Sequence, residues 1–280
     1  MYQDSIDDIQ TVISVGQLAG THDIEQNIAS IERLARTAAS HGSRLIVLPE
    51  AVMYAYTESG EKIAQIARQW GRKFESALKG IADRHGISLL AGAYLPTQTG
   101  RSSNTLILAR PGAEPSLHYN KLHLYDAFDF KESEKHDVTA LKSDFSELVT
   151  FDLDGFTVGI LNCYDLRFPE MARLLVEKGA EVLVVSSGWV AGPLKELQWE
   201  TLLRARAIEN TCFVAGSCQP APLSTGLSMI IDPMGAVTSG AHEGEALATS
   251  TLSKKRLKLV RDKLPCLEQR RYSLLRTHTQ

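Results

Sequence analysis

Between residues 156 and 180 the chain reads FTVGILNCYDLRFPEMARLLVEKGA, an apolar run of strand length that stops at a polar corner and passes directly into an amphipathic helix. Few architectures accept that succession. Val158, Gly159, Ile160 and Leu161 give a buried strand, and Asn162-Cys163 ends it. Pro169 suits the first turn of a helix; Met171, Leu174, Leu175 and Lys178 then share one face, and Gly179 is a stop. In a sheet flanked by helices the carboxyl end of a strand is where side chains meet ligands, because the strand fixes the position and the following loop leaves the group accessible. Cys163 stands at that end. A lone cysteine beside a strand is as a rule a small buried hydrophobe, but Tyr164, Asp165, Arg167 and Glu170 crowd polar groups around this one.

The same succession recurs along the chain. Residues 11–19 alternate as a strand, and residues 23–40 carry Ile24, Ile28, Ile31, Leu34, Ala35 and Ala38 at helical spacing, with Asp23 and Gln26 as a capping box and His41-Gly42 as the stop. Residues 44–48 form a short apolar strand ending in Pro49-Glu50, so a carboxylate follows a buried strand as the sulfur does. Residues 56–69 read as a loop leading into a helix over 70–85. A strand over 87–95, a turn cluster at 100–104, a strand over 105–109 and Pro111-Gly112 predict an antiparallel segment. Residues 117–124 bring His118, Lys121 and His123 near one strand end, and residues 125–144 form a polar loop without periodicity. Strands follow at 181–187, 211–217 and 227–232, with a helix over 194–209, a basic helical segment over 254–263 and an irregular Arg-rich tail over 265–280. No linker interrupts the series, which predicts one α/β sandwich domain over residues 1–280.

Composition excludes several partners. A net charge of -3, with no run of Lys or Arg interleaved with aromatics, argues against nucleic acid. No stretch nears the roughly 18 apolar residues of a membrane span, and the acidic opening MYQDSIDDIQ is not a charged-then-apolar leader, so the expectation is no membrane and a cytoplasmic location. Four cysteines are too sparse for a disulfide framework, and Cys212 and Cys218 alternate with apolar residues as packing groups. His118 and His123 point to opposite sides of a strand and lack a third ligand, so no metal site is expected.

Glu50, Lys121 and Cys163 each fall at or just past the end of an apolar strand. A thiol of ordinary pKa, about 8.5, is only a few per cent thiolate at neutral pH, so a nucleophile needs a base or a nearby positive charge. Glu50 can serve as the base and Lys121 as the charge. Lys121 can also donate, with the backbone N–H of Tyr164, to the oxyanion formed when sulfur attacks a carbonyl; one such donor is worth about 3 kcal/mol of barrier. On spacing alone, a plain surface ion pair worth about 0–1 kcal/mol is the competing reading of Glu50 and Lys121.

Three segments in order, RLIVLPE with Glu50, YNKLHLYD with Lys121 and GILNCYDLRFPE with Cys163, resemble the signatures of the carbon-nitrogen hydrolase family, also called the nitrilase superfamily, over residues 11 to about 272. The resemblance implies a four-layer αββα sandwich, with Cys163 as nucleophile, Glu50 as base and Lys121 at the oxyanion. FKES resembles the segment that holds a second glutamate, which maps to Glu132 and implies that it positions Lys121 or the substrate. GPLKELQWETLLRARAIEN resembles a helix of the same family. YDLRFPE resembles the amidase branch named Nit, and this implies a small, carboxylate-bearing amide hydrolysed to acid and ammonia through a cysteine thioester, without a cofactor. Nitrile hydrolysis and acyl transfer with the same nucleophile are the alternatives within the chemistry; a non-catalytic interaction protein on the same scaffold is the alternative outside it. The resemblance further implies a homodimer or larger homo-oligomer, with the C-terminal tail, residues 254–280, packed at the subunit interface. SSGWVAGPLKELQWE departs from the branch's usual loop and places Trp189 and Lys195 at the pocket, Trp189 as the substrate-binding residue or, in the alternative, as a core aromatic. Arg167, Arg204 and Arg206 are candidates for carboxylate recognition, with internal ion pairs as the competing reading.

Overall fold

A computed structural model gives the structure of residues 8–274. Residues 1–7, on which the expectation of a leaderless start rests, and residues 275–280, the end of the expected tail, lie outside the described residues. The first half of the chain holds β1 (Gln10–Gln17), α1 (Ile24–Ser40), β2 (Leu45–Val47), α2 (Gly60–His85), β3 (Ser88–Pro96), β4 (Ser102–Ala109) and β5 (Leu117–Asn120). A small hairpin, β6 (Asp126–Ala127) and β7 (Phe130–Lys131), leads into β8 (Thr150–Leu153), β9 (Phe156–Asn162), α3 (Pro169–Glu177), β10 (Val182–Ser187), α4 (Lys195–Asn210) and β11 (Phe213–Cys218). The chain continues through β12 (Ser228–Ile231), β13 (Val237–Ala241), β14 (Ala246–Ser253) and α5 (Lys254–Lys263).

Two six-stranded sheets result. One has the order β14-β1-β2-β3-β4-β5, with β1, β2 and β3 parallel; the other runs β13-β12-β11-β10-β9-β8, with β9, β10 and β11 parallel. Parallel neighbours need crossover connections, and α1, α2, α3 and α4 supply them. The central strands are apolar on both faces because each face is covered. Ile46, Leu89, Ala91 and Ile107 pack with Ile31, Leu34, Phe74 and Leu78 of the outer helices. Leu45, Val47, Leu90, Leu106 and Leu108 turn the other way, into a core that continues through Val158 and Ile160 to Trp199 and Leu203. The Ser217 hydroxyl donates to the Gly16 carbonyl at 2.6 Å and ties the two sheets directly. The layers are therefore helix, sheet, sheet, helix, the αββα sandwich.

Several elements differ from the reading of the bare chain. α2 begins at Gly60, ten residues earlier than the helix expected from residue 70, with the Ser59 side chain accepting the Lys62 N–H at 3.2 Å. Its first half is polar apart from a stripe at Ile63, Ile66 and Ala67, and Gly71 allows close approach: a Cβ there would stand 3.1 Å from Leu95. Ser102, Ser103 and Asn104 were expected in a turn but open β4, pairing with Pro96, Leu95 and Tyr94; their polarity serves a buried network, not solvent. β8, β13 and β14 escape a reading by hydrophobic runs because they are short or half-exposed edge segments such as VTSGA. The polar stretch over 125–144 folds partly into the β6–β7 hairpin and a 3₁₀ turn at Glu132–Glu134. α5 matches the expected basic helix, and beyond it Arg270 pairs with Glu177 at the end of α3. Among the described residues, no helix is long and apolar enough to cross a membrane.

One contact fixes where β2 ends. Gly92 of β3 donates its N–H to the Pro49 carbonyl at 3.1 Å and accepts the Met53 N–H at 3.1 Å, so the chain around Glu50 is clamped to the neighbouring strand. A Cβ at Gly92 would lie 2.2 Å from the Ala51 nitrogen and 2.5 Å from the Glu50 Cα, both backbone atoms that cannot swing away. Gly92→Ala is expected to lower stability by about 3 kcal/mol in urea unfolding, the upper part of the usual overpacking range; a loss under about 1 kcal/mol would mean that the corner opens freely.

Candidate active site

Two strand ends make matching corners. Glu50 follows β2, and the next residue, Ala51, turns in the left-handed region at φ 56°. Cys163 follows β9 and itself sits at φ 48°, which for a residue with a side chain is strained and lifts it out of the strand line. Asp165, fully buried, holds that corner: it accepts the Asn162 N–H at 2.9 Å, the Tyr119 hydroxyl at 2.6 Å and the His123 N–H at 3.1 Å. Lys121 follows β5, with its N–H on the Asn104 carbonyl at 2.9 Å. Four residues, Glu50, Lys121, Glu132 and Cys163, thus line one pocket, although only one of the four lies in the second sheet's half of the chain.

The charged groups form a closed network. Lys121 Nζ donates to Glu50 Oε1 and to Glu132 Oε2, each at 2.8 Å, with Lys121 only 2% exposed. Asn104 Nδ2 donates to Glu50 Oε1 and to Glu132 Oε1, each at 2.7 Å, and its Oδ1 accepts from Asn162 Nδ2 at 3.0 Å. Gly188 N–H reaches Glu50 Oε2 at 2.9 Å, and the Tyr125 N–H reaches Glu132 Oε2 at 2.7 Å. Burial works against the Lys121 ammonium, but the charges of Glu132 and Glu50 outweigh it and hold its pKa well above the usual lysine value. Burial likewise favours a neutral Glu132, yet Lys121 keeps its pKa below the ordinary carboxylate range. Cys163 goes the other way: burial first, then the Glu50 charge, push its thiol well above the ordinary value, with Lys121 opposing. His136, buried against Tyr94 with Nδ1 at 2.9 Å from the Ser102 hydroxyl, is pushed by burial down to about 4 and is neutral at pH 7.

A pocket opens above this floor. Trp189 lines it, with its Nε1 donating to the Lys195 carbonyl at 3.1 Å and the Arg167 guanidinium stacked 4.5 Å from its ring. Of the three arginines the sequence raised, Arg167 reaches the pocket. Arg204 pairs with Glu200 and Arg206 with Glu209, and neither lines it. His118 is engaged by Glu75 and His123 by Asp165, and among the described residues no group of three His, Cys, Asp or Glu is placed to hold a metal ion. Cys212 and Cys218 are core residues, driven by burial up to about 12 and about 11. Sequence reasoning missed Asn104, which joins both carboxylates, along with Tyr56, Lys135 and His136 of the pocket wall. Only the unusual burial of a polar run in β4 marks Asn104, and burial is not visible in a bare chain.

A four-layer αββα sandwich with a cysteine set beside a buried Glu–Lys–Glu network at facing strand ends, together with the chain's family and relatives, places it among amidases that act on carbon–nitrogen bonds other than peptide bonds. The chain belongs to the carbon-nitrogen hydrolase family, whose sequence profile matches residues 12–262. It is 34% identical to a deaminated glutathione amidase of Escherichia coli O157:H7, over 94% of this chain and 98% of that one. It is 33% identical to a 2-oxoglutaramate amidase of Bacillus subtilis, over 89% of this chain and 93% of that one. The crystal structure of the C. elegans NitFhit protein superposes with a TM-score of 0.84 at 25% identity, covering 94% of this chain and 65% of that longer one.

Removing the ammonium from this network leaves two buried carboxylates facing each other. Lys121→Met is expected to destabilise the protein by about 3–5 kcal/mol at pH 8, the cost of an uncompensated buried charge. In the variant one carboxylate's folded pKa rises above its unfolded value, so the penalty is relieved as pH falls; in the parent the lowered Glu132 pKa gives a contribution that is full above the unfolded value and is lost only as pH falls from there through the folded one. Urea unfolding at pH 8 and pH 5 should therefore show a smaller deficit at pH 5, and an equal deficit at both would locate these charges outside a coupled pair.

Proposed function

We propose that this chain hydrolyses a small, carboxylate-bearing amide to the acid and ammonia through a thioester on Cys163. The observation that carries the reading is the Cys163 thiol buried in one pocket with Glu50 and Lys121. A thiol whose pKa is driven up rests protonated at pH 7, so attack requires a base at its side, and Glu50 is a carboxylate in that position. Glu50 takes the thiol proton as sulfur adds to the amide carbon. Lys121, held by two glutamates, donates to the oxyanion, together with the Tyr164 N–H, which lies in the first turn after Cys163, where helical donors lack internal partners. Collapse breaks the C–N bond, and Glu50 returns the proton to the departing ammonia. A water deprotonated by Glu50 then adds to the thioester, the C–S bond breaks, and the proton goes back to sulfur. Glu132 exchanges no proton; it keeps Lys121 aimed, while Trp189 forms a wall of the substrate pocket. The relatives named deaminated glutathione amidase and 2-oxoglutaramate amidase support an amide that carries a carboxylate.

Residues 1–280 are read as a single domain, supported by the core that runs without break from the first sheet through the second to α4. A homodimer is part of the same proposal. Leu197 and Ile208 stand exposed on the outer face of α4, and the C-terminal segment with Arg270 passes alongside α3, which supports a paired helical face with the tail at its edge. Sedimentation should give a dimer that Ile208→Glu shifts toward monomer; a monomeric parent removes this part. A cytoplasmic location is supported by four free cysteines and is checked by cell fractionation.

The chemistry is tested by ammonia release from a panel of acid-bearing and neutral amides. Cys163→Ala should abolish turnover with the fold intact by circular dichroism, and Lys121→Arg should lower kcat at least ~100-fold, because a planar guanidinium does not reproduce a compact ammonium donor. Glu50→Gln should form no adduct on Cys163 by mass spectrometry, whereas Glu132→Gln should still acylate slowly. Full activity in Cys163→Ala, or identical adduct kinetics in the two glutamine variants, would sink these assignments.

A further inference from the structure

The charge around the pocket does not balance. Four cations line it, Lys121, Lys135, Arg167 and Lys195, against two carboxylates, Glu50 and Glu132, and both carboxylates are engaged by Lys121. Lys135 donates to the Tyr56 carbonyl at 3.0 Å. Arg167 and Lys195 are different. Arg167 lies over Trp189 with one N–H on Gln198 Oε1 at 2.8 Å, and Lys195 points its ammonium at the Tyr125 hydroxyl, 3.3 Å away, and over the Phe128 ring, 3.8 Å from its centroid. Neither has a carboxylate within 4 Å among the described residues, whereas Arg204 and Arg206, on the same helix as Lys195, each have one.

The backbone turns Lys195 inward. Leu194 occupies the left-handed region at φ 60° and leaves its own side chain 67% exposed, while the following Lys195 is 6% exposed. Burial and the nearby Arg167 both act against the Lys195 ammonium and lower its pKa. Two cations gathered at a half-dry wall without a counter-ion is an arrangement that costs stability unless an anion arrives to share them. A planar carboxylate suits it: the guanidinium offers a fork of donors, and the ammonium adds a point charge.

We infer that Arg167 and Lys195 together form the subsite for the carboxylate of the substrate, at the end remote from the scissile amide, and that Lys195 determines specificity for acid-bearing amides. This rests on the amidase reading above and adds the residues that choose the substrate. The buried Trp189 ring under Arg167 and the half-buried Tyr125 ring beside Lys195 shield that end from water and strengthen the attraction.

Binding and turnover test the two readings separately. In a Cys163→Ala background, titration calorimetry compares glutaramate with valeramide, its neutral counterpart of the same chain length. Lys195→Met should weaken glutaramate about 10- to 100-fold, the value of a hydrogen bond to a charged group, with a much smaller change for valeramide, and Lys195→Arg should recover most of the loss. In the active enzyme the ratio of kcat/KM for the two amides should fall by the same factor, through KM. An unchanged glutaramate affinity in Lys195→Met, or an equal loss for both amides, overturns the subsite. If glutaramate binds in a Lys195-dependent way but the parent releases no ammonia from any amide, the amidase reading falls and the subsite stands.

Discussion

The Lys121 ammonium, buried between Glu50 and Glu132, is the interaction on which the rest of the site depends. A lone ammonium at 2% exposure would lose its proton or unfold its surroundings. Two carboxylates at 2.8 Å reverse that balance and keep it charged. The arrangement holds only while all partners stay in place, and each partner comes from a different element: Glu50 from the end of β2, Lys121 from the end of β5, Glu132 from the turn after β7. Much of the local architecture reads as a means of holding those three ends together. Gly92 clamps the Glu50 corner, Asn104 spans the two carboxylates, the Gly188 N–H takes the other oxygen of Glu50, and the Tyr125 N–H joins Lys121 on Glu132 Oε2.

A network this well satisfied also accounts for why Cys163 rests as a thiol. Lys121 stands close enough to oppose the rise in the thiol pKa, but its charge is already shared between two glutamates, and burial with the Glu50 charge prevails. A stable thiolate would be exposed to oxidation; a thiol kept protonated by burial is protected from it. The strained corner at Cys163 is maintained by Asp165, whose bonds to Asn162, Tyr119 and His123 join the two sheets' contributions at the base of the site.

The pocket wall follows a different rule from its floor. At the floor every charge is paired within the protein, which gives rigidity. At the wall, Arg167 and Lys195 are supported by rings and neutral groups alone, so the free energy of pairing them is available to an incoming anion. Lys195 opens α4 and Arg167 lies in the turn before α3, so substitution at either can change the wall without touching Glu50, Lys121 or Glu132.

The apolar strands ending at Glu50 and Cys163, the helices between them and the α/β layering were legible in the chain itself, because parallel strands covered on both faces must be apolar throughout and crossover helices must show one apolar stripe. Strand ends raised Glu50, Lys121 and Cys163 as candidates, and only the resemblance of FKES to a family segment added Glu132. Their meeting was not legible: Glu132 lay in a stretch that reads as a solvated loop, and Asn104 in one that reads as a turn. Nor could the chain sort Arg167, in the polar corner before α3, from Arg204 and Arg206 in α4, since an internal ion pair was an equal reading for each. Those questions are decided by which side chains are buried and what stands opposite them. Burial and pairing are properties of two sheets packed face to face, and a linear sequence carries the period of each strand but not the partner across the gap.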